Sequence, residues 1–368
     1  MAPVRVLIAP DKFAGTLTAV EAAQAMAAGW LDQAPDDEVM TVPMSDGGPG
    51  FVDVLSAALG GELLAETVTG PLGEPTPATV LLDEGTAYIE TSQACGLDLV
   101  PPALRDPERA TTYGVGELVA AALEAGARRL VLGLGGSGTN DAGAGLLAAL
   151  GATSEPAGAL TSGGAALAQV TALDLAPARA RLAGVEVLAA SDVDNPLLGL
   201  RGATNVFGPQ KGVTEERRIP LDAALEHFAD LADRSLADAK GAGAAGGLGY
   251  ALLLLGGTRV PGIETISAAV GLPDRARAAD LVLTGEGSFD FQSASGKVVS
   301  GVAAVAGEAI RPCVVLAGQV LVGVREMRTM GVESGYSLVD LVGRERALGA
   351  PRDSLVELAR RVARTWSR

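Results

Sequence analysis

The chain alternates short apolar, β-branched runs with longer alanine-rich stretches of helical periodicity. VRVLIAP at 4–10 precedes a predicted helix from about Thr18 to Ala34, where Thr18 and Glu21 match the capping-box pattern of a helix N-terminus. A second run, VMTVPM at 39–44, precedes a helix that is expected to start near Gly50. Because strands and helices alternate, this part of the chain predicts βα units of a parallel sheet.

The pattern changes in the next thirty residues. Three strand-like runs, ELLAETVTG, PTPATVLLD and TAYIETSQA, follow one another with only turns between them, which predicts an antiparallel part of a sheet. The alternation resumes with a helix at 114–126, the run RRLVLGLGG at 128–136, a helix from 141 and the run VEVLAASDV at 185–193. Helical patterns dominate from 214 to 271.

The end of the chain resembles its beginning. DLVLTGEG (280–287), VVLAGQV (314–320) and YSLVDLV (336–342) read as strands, each followed by a helix, and the last helix is the amphipathic SLVELARRVARTW. Two βα units at the start and three at the end predict one five-stranded, doubly wound parallel-sheet domain formed by residues 1–64 and 279–368. Residues 65–278 are then an inserted mixed α/β domain, and we expect the active site in the cleft between the domains.

Length, net charge and the distribution of apolar residues disfavour several classes of function. A length of 368 residues suits two domains. The net charge of −16 disfavours binding to nucleic acids or anionic membranes. The most apolar stretch, 241–257, is too short and too rich in glycine to span a bilayer, so it predicts a buried helix behind a glycine-rich turn. Without a basic-then-apolar leader, the protein is expected to be cytoplasmic, as a monomer or homodimer.

Cysteine and histidine are too sparse for several kinds of catalysis. Cys95 and Cys313 lie in apolar, strand-like runs and are expected to be reduced, buried thiols. The single histidine, His227, falls in an amphipathic helical pattern and is expected on a helix surface. The sequence therefore offers neither a Ser-His-Asp nor a Cys-His site.

The four lysines are unusual in their positions. Of 28 basic residues, 24 are arginine, yet Lys12, Lys211, Lys240 and Lys297 each lie within three residues of a glycine. Lysine is a compact point charge that reaches a single phosphate oxygen, a task that arginine does not replace. The lysines are therefore candidate phosphate contacts, and Lys240 is the weakest of these candidates. The alternative is that the four lysines occupy loops by chance.

Three glycine-rich turns adjoin predicted strands or helices: GLGGSGTNDAGAG, KGAGAAGGLGY and TGEGSFDFQSASGK. In the first, Gly133, Gly135 and Gly138 spell G-x-G-x-x-G, but the acidic residue expected on a second strand is missing, which weakens a dinucleotide interpretation. Such turns let backbone N–H groups approach an anion. Phe291 stands where a P-loop would need its first glycine, so this is not a P-loop NTPase. The alternative for each turn is tight helix–strand packing.

Carboxylates recur beside these turns, mostly after strand-like runs: Asp11, Asp46, Asp141, Asp192, Asp194, Glu286 and Asp290. Phosphoryl transfer requires Mg²⁺ held by carboxylates, cations on the phosphates and a base for the acceptor hydroxyl. These residues supply such groups, although each carboxylate could instead form a salt bridge or cap a helix.

With these motifs the chain resembles the bacterial type I glycerate kinase family. The matching stretches include IAPDKFAGTLTAVEAA, PMSDGGPG, TGPLG, GLGGSGTNDAGAG, SDVDNPLLG, FGPQKG, GAGAAGGLG and TGEGSFDFQSASGKV. The resemblance implies a flavodoxin-like domain with an inserted mixed domain, ATP and Mg²⁺ as cofactors, and D-glycerate as the substrate. The product would be 2- or 3-phosphoglycerate. Pro49 departs from the family, which usually has glutamate there.

The candidate site residues follow from this chemistry. Asp192 is the first choice for the base or a metal ligand and Asp141 the second, and Asp290 is a further metal ligand. The catalytic set also includes Lys12 and Asp46. Candidate substrate or phosphate contacts are Asp11, Gly47, Gly48, Ser137, Thr139, Asn140, Lys211, Gly243, Gly246, Glu286 and Lys297. Two alternatives stay open: a dehydrogenase that uses residues 133–138, and a non-catalytic sensor of a phosphorylated metabolite.

Overall fold

The computed structural model describes residues 3–13, 15–291 and 298–367. The chain divides into two compact units. One comprises Met1–Asp46, Asp53–Gly60 and Ile263–Arg368, and the other comprises Gly47–Val52 and Gly61–Gly262. Within the described ranges, none of the helices combines the length and the apolar character that crossing a bilayer requires.

Strands and helices alternate along most of the chain. The strands are β1 (Arg5–Ile8), β2 (Glu38–Thr41), β3 (Glu62–Thr69), β4 (Pro75–Asp83), β5 (Thr86–Glu90), β6 (Arg129–Gly133), β7 (Thr153–Glu155), β8 (Ala172–Asp174), β9 (Glu186–Ala190), β10 (Thr258–Val260), β11 (Leu281–Phe289), β12 (Cys313–Val320) and β13 (Ser334–Ser337). The α-helices are α1 (Ala19–Gln33), α2 (Phe51–Leu59), α3 (Ser92–Cys95), α4 (Tyr113–Glu124), α5 (Ala144–Ala149), α6 (Ala176–Arg181), α7 (Ala203–Lys211), α8 (Glu215–Ala232), α9 (Leu248–Leu254), α10 (Gly262–Ala269), α11 (Leu272–Ala278), α12 (Val298–Glu308), α13 (Val324–Thr329), α14 (Leu338–Val342), α15 (Arg344–Gly349) and α16 (Pro351–Trp366).

The first unit contains a five-stranded parallel sheet in the order β13-β12-β11-β1-β2. Numbered within this unit alone, the order is 2-1-3-4-5, the doubly wound order of flavodoxin-like folds. Val6 pairs with Leu281 on one side of β1 and with Val39 on the other. The α/β fold with a doubly wound parallel sheet, expected from the two ends of the sequence, is confirmed.

Both faces of this sheet are covered. Val6, Ile8 and Leu283 belong to one core cluster with apolar residues of α1 and α16. Leu7 and Val282 alternate with them and are equally buried, so they point to the opposite face. Helix α12 contacts β11 and β12. Such two-sided burial explains why the strands of this sheet are continuous apolar runs in the sequence.

Helices α1 and α16 approach each other unusually closely. Thr18 caps α1, and its reciprocal bonds with Glu21 form the capping box that the sequence predicts. In the middle of α1, a Cβ atom placed on Gly29 would lie 2.1 Å from the carbonyl oxygen of Val356 in α16. The contact therefore requires glycine at this position.

The second unit contains a six-stranded mixed sheet in the order β10-β9-β6-β5-β4-β3. Strands β3, β4 and β5 pair antiparallel, as expected from their direct succession, and β5, β6, β9 and β10 pair in parallel. The short strand β10 and the two-stranded ribbon β7–β8 were not predicted, since three residues are too few to show a period. The apolar stretch 241–257 holds the buried helix α9.

Two strand predictions were wrong in their extent. TAYIETSQA (86–94) was expected to be a strand, but the strand ends at Glu90 and Ser92–Cys95 form α3, which includes Cys95. YSLVDLV (336–342) was expected to be a strand, but the strand ends at Ser337 and residues 338–342 form α14. The Ser337 side chain accepts a hydrogen bond from the backbone N–H of Asp340 at 3.1 Å, which caps the helix. A short apolar run is compatible with a buried strand and with a buried helix. Here the serine cap favours the helix, so the run is helical after Ser337.

The expectations for cysteine and histidine are confirmed. Cys95 and Cys313 are buried, free thiols, and burial raises the pKa of each to about 12. His227 lies on the exposed side of α8, where its Nε2 atom is 2.6 Å from the carbonyl oxygen of Val170. None of these three residues has the setting of a nucleophile or a general base.

Candidate active site

A pocket of about 440 Å³ lies at the carboxyl edge of the first unit's sheet. Every strand of that sheet contributes lining residues at its end or in the loop that follows it. The lining residues are Asp11, Lys12, Phe13, Thr16, Asp46, Glu286, Gly287, Ser288, Asp290, Gly318, Gln319, Leu338, Val339, Arg344, Ala347 and Leu348. The pocket includes the junction of β1 and β11, where the winding direction of the sheet reverses. Doubly wound folds bind their ligands at this position.

The strand ladder holds Asp11 beside Glu286. Hydrogen bonds continue beyond the end of β1: the N–H of Ala9 donates to the Leu283 oxygen at 2.7 Å, and the N–H of Asp11 donates to the Gly285 oxygen at 2.8 Å. The hydroxyl of Thr284 donates to the Ala9 oxygen at 2.8 Å. The backbone of Asp11 is therefore fixed by the sheet, as a catalytic position requires.

Negative charge is concentrated in this part of the pocket. Burial, reinforced by the nearby carboxylate of Asp46, raises the pKa of Asp11 to about 7, and Glu286 adds to the effect. The ammonium group of Lys12 and the hydrogen bond from the Lys12 N–H to Asp11 Oδ1, at 2.7 Å, oppose this shift without cancelling it. Asp11 thus exchanges a proton near neutral pH, whereas an ordinary aspartate does not.

Part of the pocket lining is an apolar wall. Phe13, Leu338, Val339, Ala347 and Leu348 form this wall, and Arg344 at the start of α15 also lines the pocket. Apolar side chains combined with a few charged groups are the usual construction of a site for an organic anion or a nucleotide.

Sequence reasoning missed four polar residues of this pocket: Thr16, Ser288, Gln319 and Arg344. Gln319 Nε2 donates to Ser288 Oγ at 3.2 Å, and this hydroxyl lies 3.4 Å from Asp290 Oδ2. Gln319 ends the apolar run VVLAGQV, so the carboxyl-edge rule could have found it. Arg344 carried no distinguishing feature among 24 arginines.

In the second unit, the G-x-G-x-x-G turn packs against the DGG motif. The N–H of Gly135 donates to the Gly47 oxygen at 3.0 Å, and a Cβ on Gly135 would lie 2.4 Å from the Cα of Gly48. A Cβ on Gly133 would lie 2.5 Å from the Gly47 oxygen. These contacts explain the glycines by close backbone packing and give no support to a dinucleotide-binding turn.

Asp141 is fully buried and engaged in the same unit. Its Oδ2 atom accepts hydrogen bonds from the N–H and the hydroxyl of Thr112, both at 2.8 Å, and its Oδ1 atom accepts from the Gly143 N–H at 3.0 Å. Burial raises its pKa, and these donors oppose the rise. The contacts favour a structural role, fixing the turn to the start of α4, over the catalytic role predicted from the sequence.

Lys211 is also buried, with 2% of its surface exposed. Its Nζ atom donates to Ser137 Oγ at 2.9 Å and to the carbonyl oxygen of Thr139 at 2.7 Å. Burial lowers its pKa to about 8. The lysine therefore ties α7 to the glycine-rich turn, and the neighbouring Asn140 is tied to Thr204 by a bond of 2.9 Å. The arrangement favours a positioning role over direct contact with phosphate.

This assignment predicts the effect of a charge-preserving substitution. Lys211→Arg should lower the free energy of unfolding by about 1–3 kcal/mol, because the larger guanidinium overpacks a closed site. Chemical denaturation measures the effect. Lys240→Arg is the matched control, since the Lys240 side chain is 77% exposed and its ion pair with Asp194 tolerates either cation. Unchanged stability together with weakened phosphate binding would instead favour the phosphate contact.

The remaining candidates of the second unit lie in two loops. Asp192 follows β9, and its Oδ1 atom accepts from the Gly262 N–H at 3.0 Å. A Cβ on Gly243 would lie 2.2 Å from the Pro196 oxygen, and one on Gly246 would lie 2.0 Å from the Thr139 oxygen. The two glycines are thus required by packing, and Asp192 stays a predicted base or metal ligand.

The structure therefore forms two groups from the predicted residues. Asp11, Lys12, Asp46, Glu286 and Asp290 line one pocket of the first unit. In the second unit, residues 137–141 form one packed cluster with Lys211 and Gly246. Lys297 lies outside the described residues.

Comparison with known proteins gives consistent matches. The sequence model of the glycerate kinase family matches residues 6–367. The chain is 42% identical over 345 residues to the glycerate kinase of Bacillus subtilis (strain 168), covering 91% of this chain and 90% of that protein. It is 39% identical over 372 residues to the glycerate 2-kinase of Escherichia coli (strain K12), covering 98% of each.

A solved structure matches the whole architecture. A crystal structure assigned as glycerate kinase 2 from Salmonella typhimurium LT2 superposes with a TM-score of 0.83 at 38% sequence identity. The superposition covers 99% of this chain and 98% of that one. The similarity thus extends over nearly the full length of each protein.

Proposed function

Because this chain belongs to the glycerate kinase family and is a kinase, we propose that it transfers the γ-phosphoryl group of ATP to D-glycerate. One observation carries the assignment of the site. Asp11, Lys12, Asp46 and Glu286, from the ends of three strands, meet in the pocket at the point where the first unit's sheet reverses its winding. Another pocket of this unit, lined in part by Asp36, Asp37 and Arg364, also carries charges, but its two aspartates precede β2 and so lie at the amino end of the sheet.

Asp11 is the proposed general base. A base works best when its pKa lies near the working pH, and burial among carboxylates brings that of Asp11 to about 7. Its carboxylate takes the proton from the attacking hydroxyl of glycerate as that oxygen bonds to the γ-phosphorus. The bond from this phosphorus to the bridging oxygen of ADP breaks, and ADP leaves with the bonding electrons. The sequence alone favoured Asp192 for this role, and Asp192 stays the alternative base.

Lys12 is proposed to contact the transferred phosphoryl group. It neighbours Asp11 in the chain and lines the same pocket. Lys12 and Arg344 cannot neutralise the charge of a triphosphate, because the described lining residues also include four carboxylates. The pocket therefore needs a further cation if it is to hold an anionic nucleotide.

The donor set fits Mg²⁺ in the form that kinases use. We found no group of three or more ligands forming a ready-made metal cage among the described residues. Magnesium in kinases is instead held by one or two carboxylates together with substrate phosphates. Asp46 and Asp290 would hold the ion here, and when bound it would neutralise the phosphate charge. The apolar wall around Leu338 is proposed to pack against the adenine ring.

A coupled assay for ADP release tests the activity. With ATP and Mg²⁺, D-glycerate should give sustained ADP release, and omission of glycerate should abolish it. A change in NAD(H) absorbance that requires glycerate but no ATP would instead support the dehydrogenase alternative. Thermal stabilisation by phosphorylated metabolites with no ADP release would support the sensor.

We further propose that the phosphoryl group goes to O2 of glycerate, because the relative from Escherichia coli is a glycerate 2-kinase. Enolase consumes 2-phosphoglycerate and not the 3-phospho isomer. Adding enolase without phosphoglycerate mutase should therefore give phosphoenolpyruvate at the rate of ADP release. Product that forms phosphoenolpyruvate only after mutase is added would contradict the O2 assignment.

A further inference from the structure

A second pocket, of about 560 Å³, lies entirely within the second unit. Three chain segments line it: the turn TGPLG between β3 and β4, the approach to α4, and the short segment 161–162. Its lining residues are Thr69, Pro71, Leu72, Gly73, Arg109, Thr111, Tyr113, Thr161 and Ser162. The TGPLG turn is one of the motifs singled out in the sequence, and the proposed phosphoryl transfer gives it no role.

Hydrogen bonds and close packing fix the frame of this pocket. The N–H of Thr111 donates to the Pro71 oxygen at 2.9 Å, which joins the approach to α4 to the turn. The turn itself closes through a bond of 3.1 Å from the Gly73 N–H to the Gly70 oxygen. A Cβ on Gly163 would lie 2.4 Å from the backbone of Arg109. The three segments are thus held together by backbone contacts, so the pocket is preformed.

The charge of this pocket is opposite to that of the first. Arg109 is the one charged residue among its described lining residues. The neighbouring carboxylate of Glu108 is occupied by Arg217, whose Nε and Nη2 atoms lie 2.6 and 2.5 Å from its two oxygens. In the described part of the chain the guanidinium of Arg109 has no ion pair of its own. A protein with a net charge of −16 thus presents an uncompensated arginine in a polar pocket.

The remaining polar groups are hydroxyls. Thr111 is buried, and its Oγ1 atom accepts the Tyr113 N–H at 3.2 Å, which leaves the hydroxyl proton to donate elsewhere. The hydroxyls of Thr161 and Ser162 donate to the Gly158 oxygen and keep their lone pairs as acceptors. The pocket therefore offers a cation, a hydroxyl donor and hydroxyl acceptors within one frame. An oxyanion that also carries hydroxyl groups matches this set.

We propose that this pocket binds a small hydroxylated oxyanion, with its carboxylate or phosphate on Arg109 and its hydroxyls on Thr111, Thr161 and Ser162. The site is additional to the pocket of the first unit and goes beyond the proposed phosphoryl transfer. Hydroxy acids and their phosphate esters share this chemistry, so the experiment must distinguish these two sources.

Isothermal titration of the full-length protein with D-glycerate, 2-phosphoglycerate and inorganic phosphate, without nucleotide, tests the proposal. The titrations use a Lys12→Met background, which removes the lysine of the first pocket. We expect binding of at least one hydroxylated anion. Adding Arg109→Gln should weaken this binding at least about tenfold, equivalent to about 1.4 kcal/mol. Arg109→Lys should restore part of the affinity.

Arg128→Gln is the matched control, because it removes one exposed arginine of the same unit outside the pocket. Preference for D-glycerate would identify the unphosphorylated acid as the ligand, and preference for 2-phosphoglycerate would identify its ester. Equal weakening by Arg109→Gln and Arg128→Gln would show a nonspecific charge effect and overturn the proposal. Absence of binding by all three anions in the Lys12→Met background would overturn it as well. Because no turnover is measured, neither result bears on the proposed kinase activity.

Discussion

Replacing Asp11 with asparagine should lower kcat by about 10²- to 10⁴-fold, the usual contribution of a general base. Asparagine keeps the size of the side chain and cannot accept the proton of the glycerate hydroxyl. ADP release at saturating ATP and glycerate measures the loss. In the wild-type enzyme, activity should fall as the pH drops below about 7, because the base is then protonated.

The same substitution should stabilise the protein above neutral pH. The pKa of Asp11 is about 7 in the folded chain, against an ordinary value of 3.8. The unfolded chain therefore loses this proton at lower pH than the folded chain. The cost of holding the charge in the folded state grows as the pH rises from 3.8 to about 7. Asp11→Asn should thus melt above wild type at pH 8, and the difference should vanish near pH 4.

This pair of measurements separates loss of the base from loss of the fold. Asp36→Asn is the control, since Asp36 is an exposed carboxylate of the same unit outside the pocket. It should leave both turnover and its pH profile unchanged. Wild-type turnover in Asp11→Asn would remove Asp11 from the mechanism and return Asp192 to consideration as the base.

Gly29→Ala should lower the free energy of unfolding by about 1–3 kcal/mol, although alanine is normally the better helix former. The added methyl group would lie 2.1 Å from the Val356 oxygen and 3.0 Å from the Cβ of Ala359. The backbone oxygen cannot move without displacing α16, so the two helices must separate. Urea denaturation of the purified variant measures the loss.

Gly307→Ala provides the matched control within a helix of the same unit. Gly307 lies near the end of α12, and a Cβ there would meet no atom within 4 Å. This substitution should raise the free energy of unfolding by about 0.5–1 kcal/mol, through helix propensity alone. Equal stabilisation by both substitutions would show that α1 and α16 are not in the close contact described.

The sequence predicted the main layout because two periodicities dominate it. Continuous apolar runs mark the buried parallel strands, and the repeat of three to four residues marks the helices between them. The capping box at Thr18 and Glu21 located the start of α1 to within one residue. The prediction from sequence failed where a local hydrogen bond outweighs the periodicity of the apolar residues. At Ser337, the side chain caps a helix that begins inside an apolar run.

The candidate site was predicted less completely. The rule that parallel strands present ligands at their carboxyl ends selected Asp11, Lys12, Asp46 and Glu286, and the structure places these in one pocket. The same rule could not show that Asp141 and Lys211 are buried and already bonded, because burial depends on residues distant in sequence. Nor could it select Asp11 as the base, since its raised pKa arises first from burial and then from nearby carboxylates, and both depend on the fold.

The strand order of the first unit also affects the order in which the protein can fold during synthesis. Strand β1 pairs with β11. This side of the sheet therefore cannot form until Leu281, the partner of Val6 that lies 275 positions later in the chain, has been synthesised. The residues between them include the whole second unit, whose strands pair among themselves. On the ribosome, the insertion can thus acquire its structure first, while β1 emerges early with β2 as its available partner and without β11. Its apolar residues are exposed to chaperones until the last third of the chain arrives.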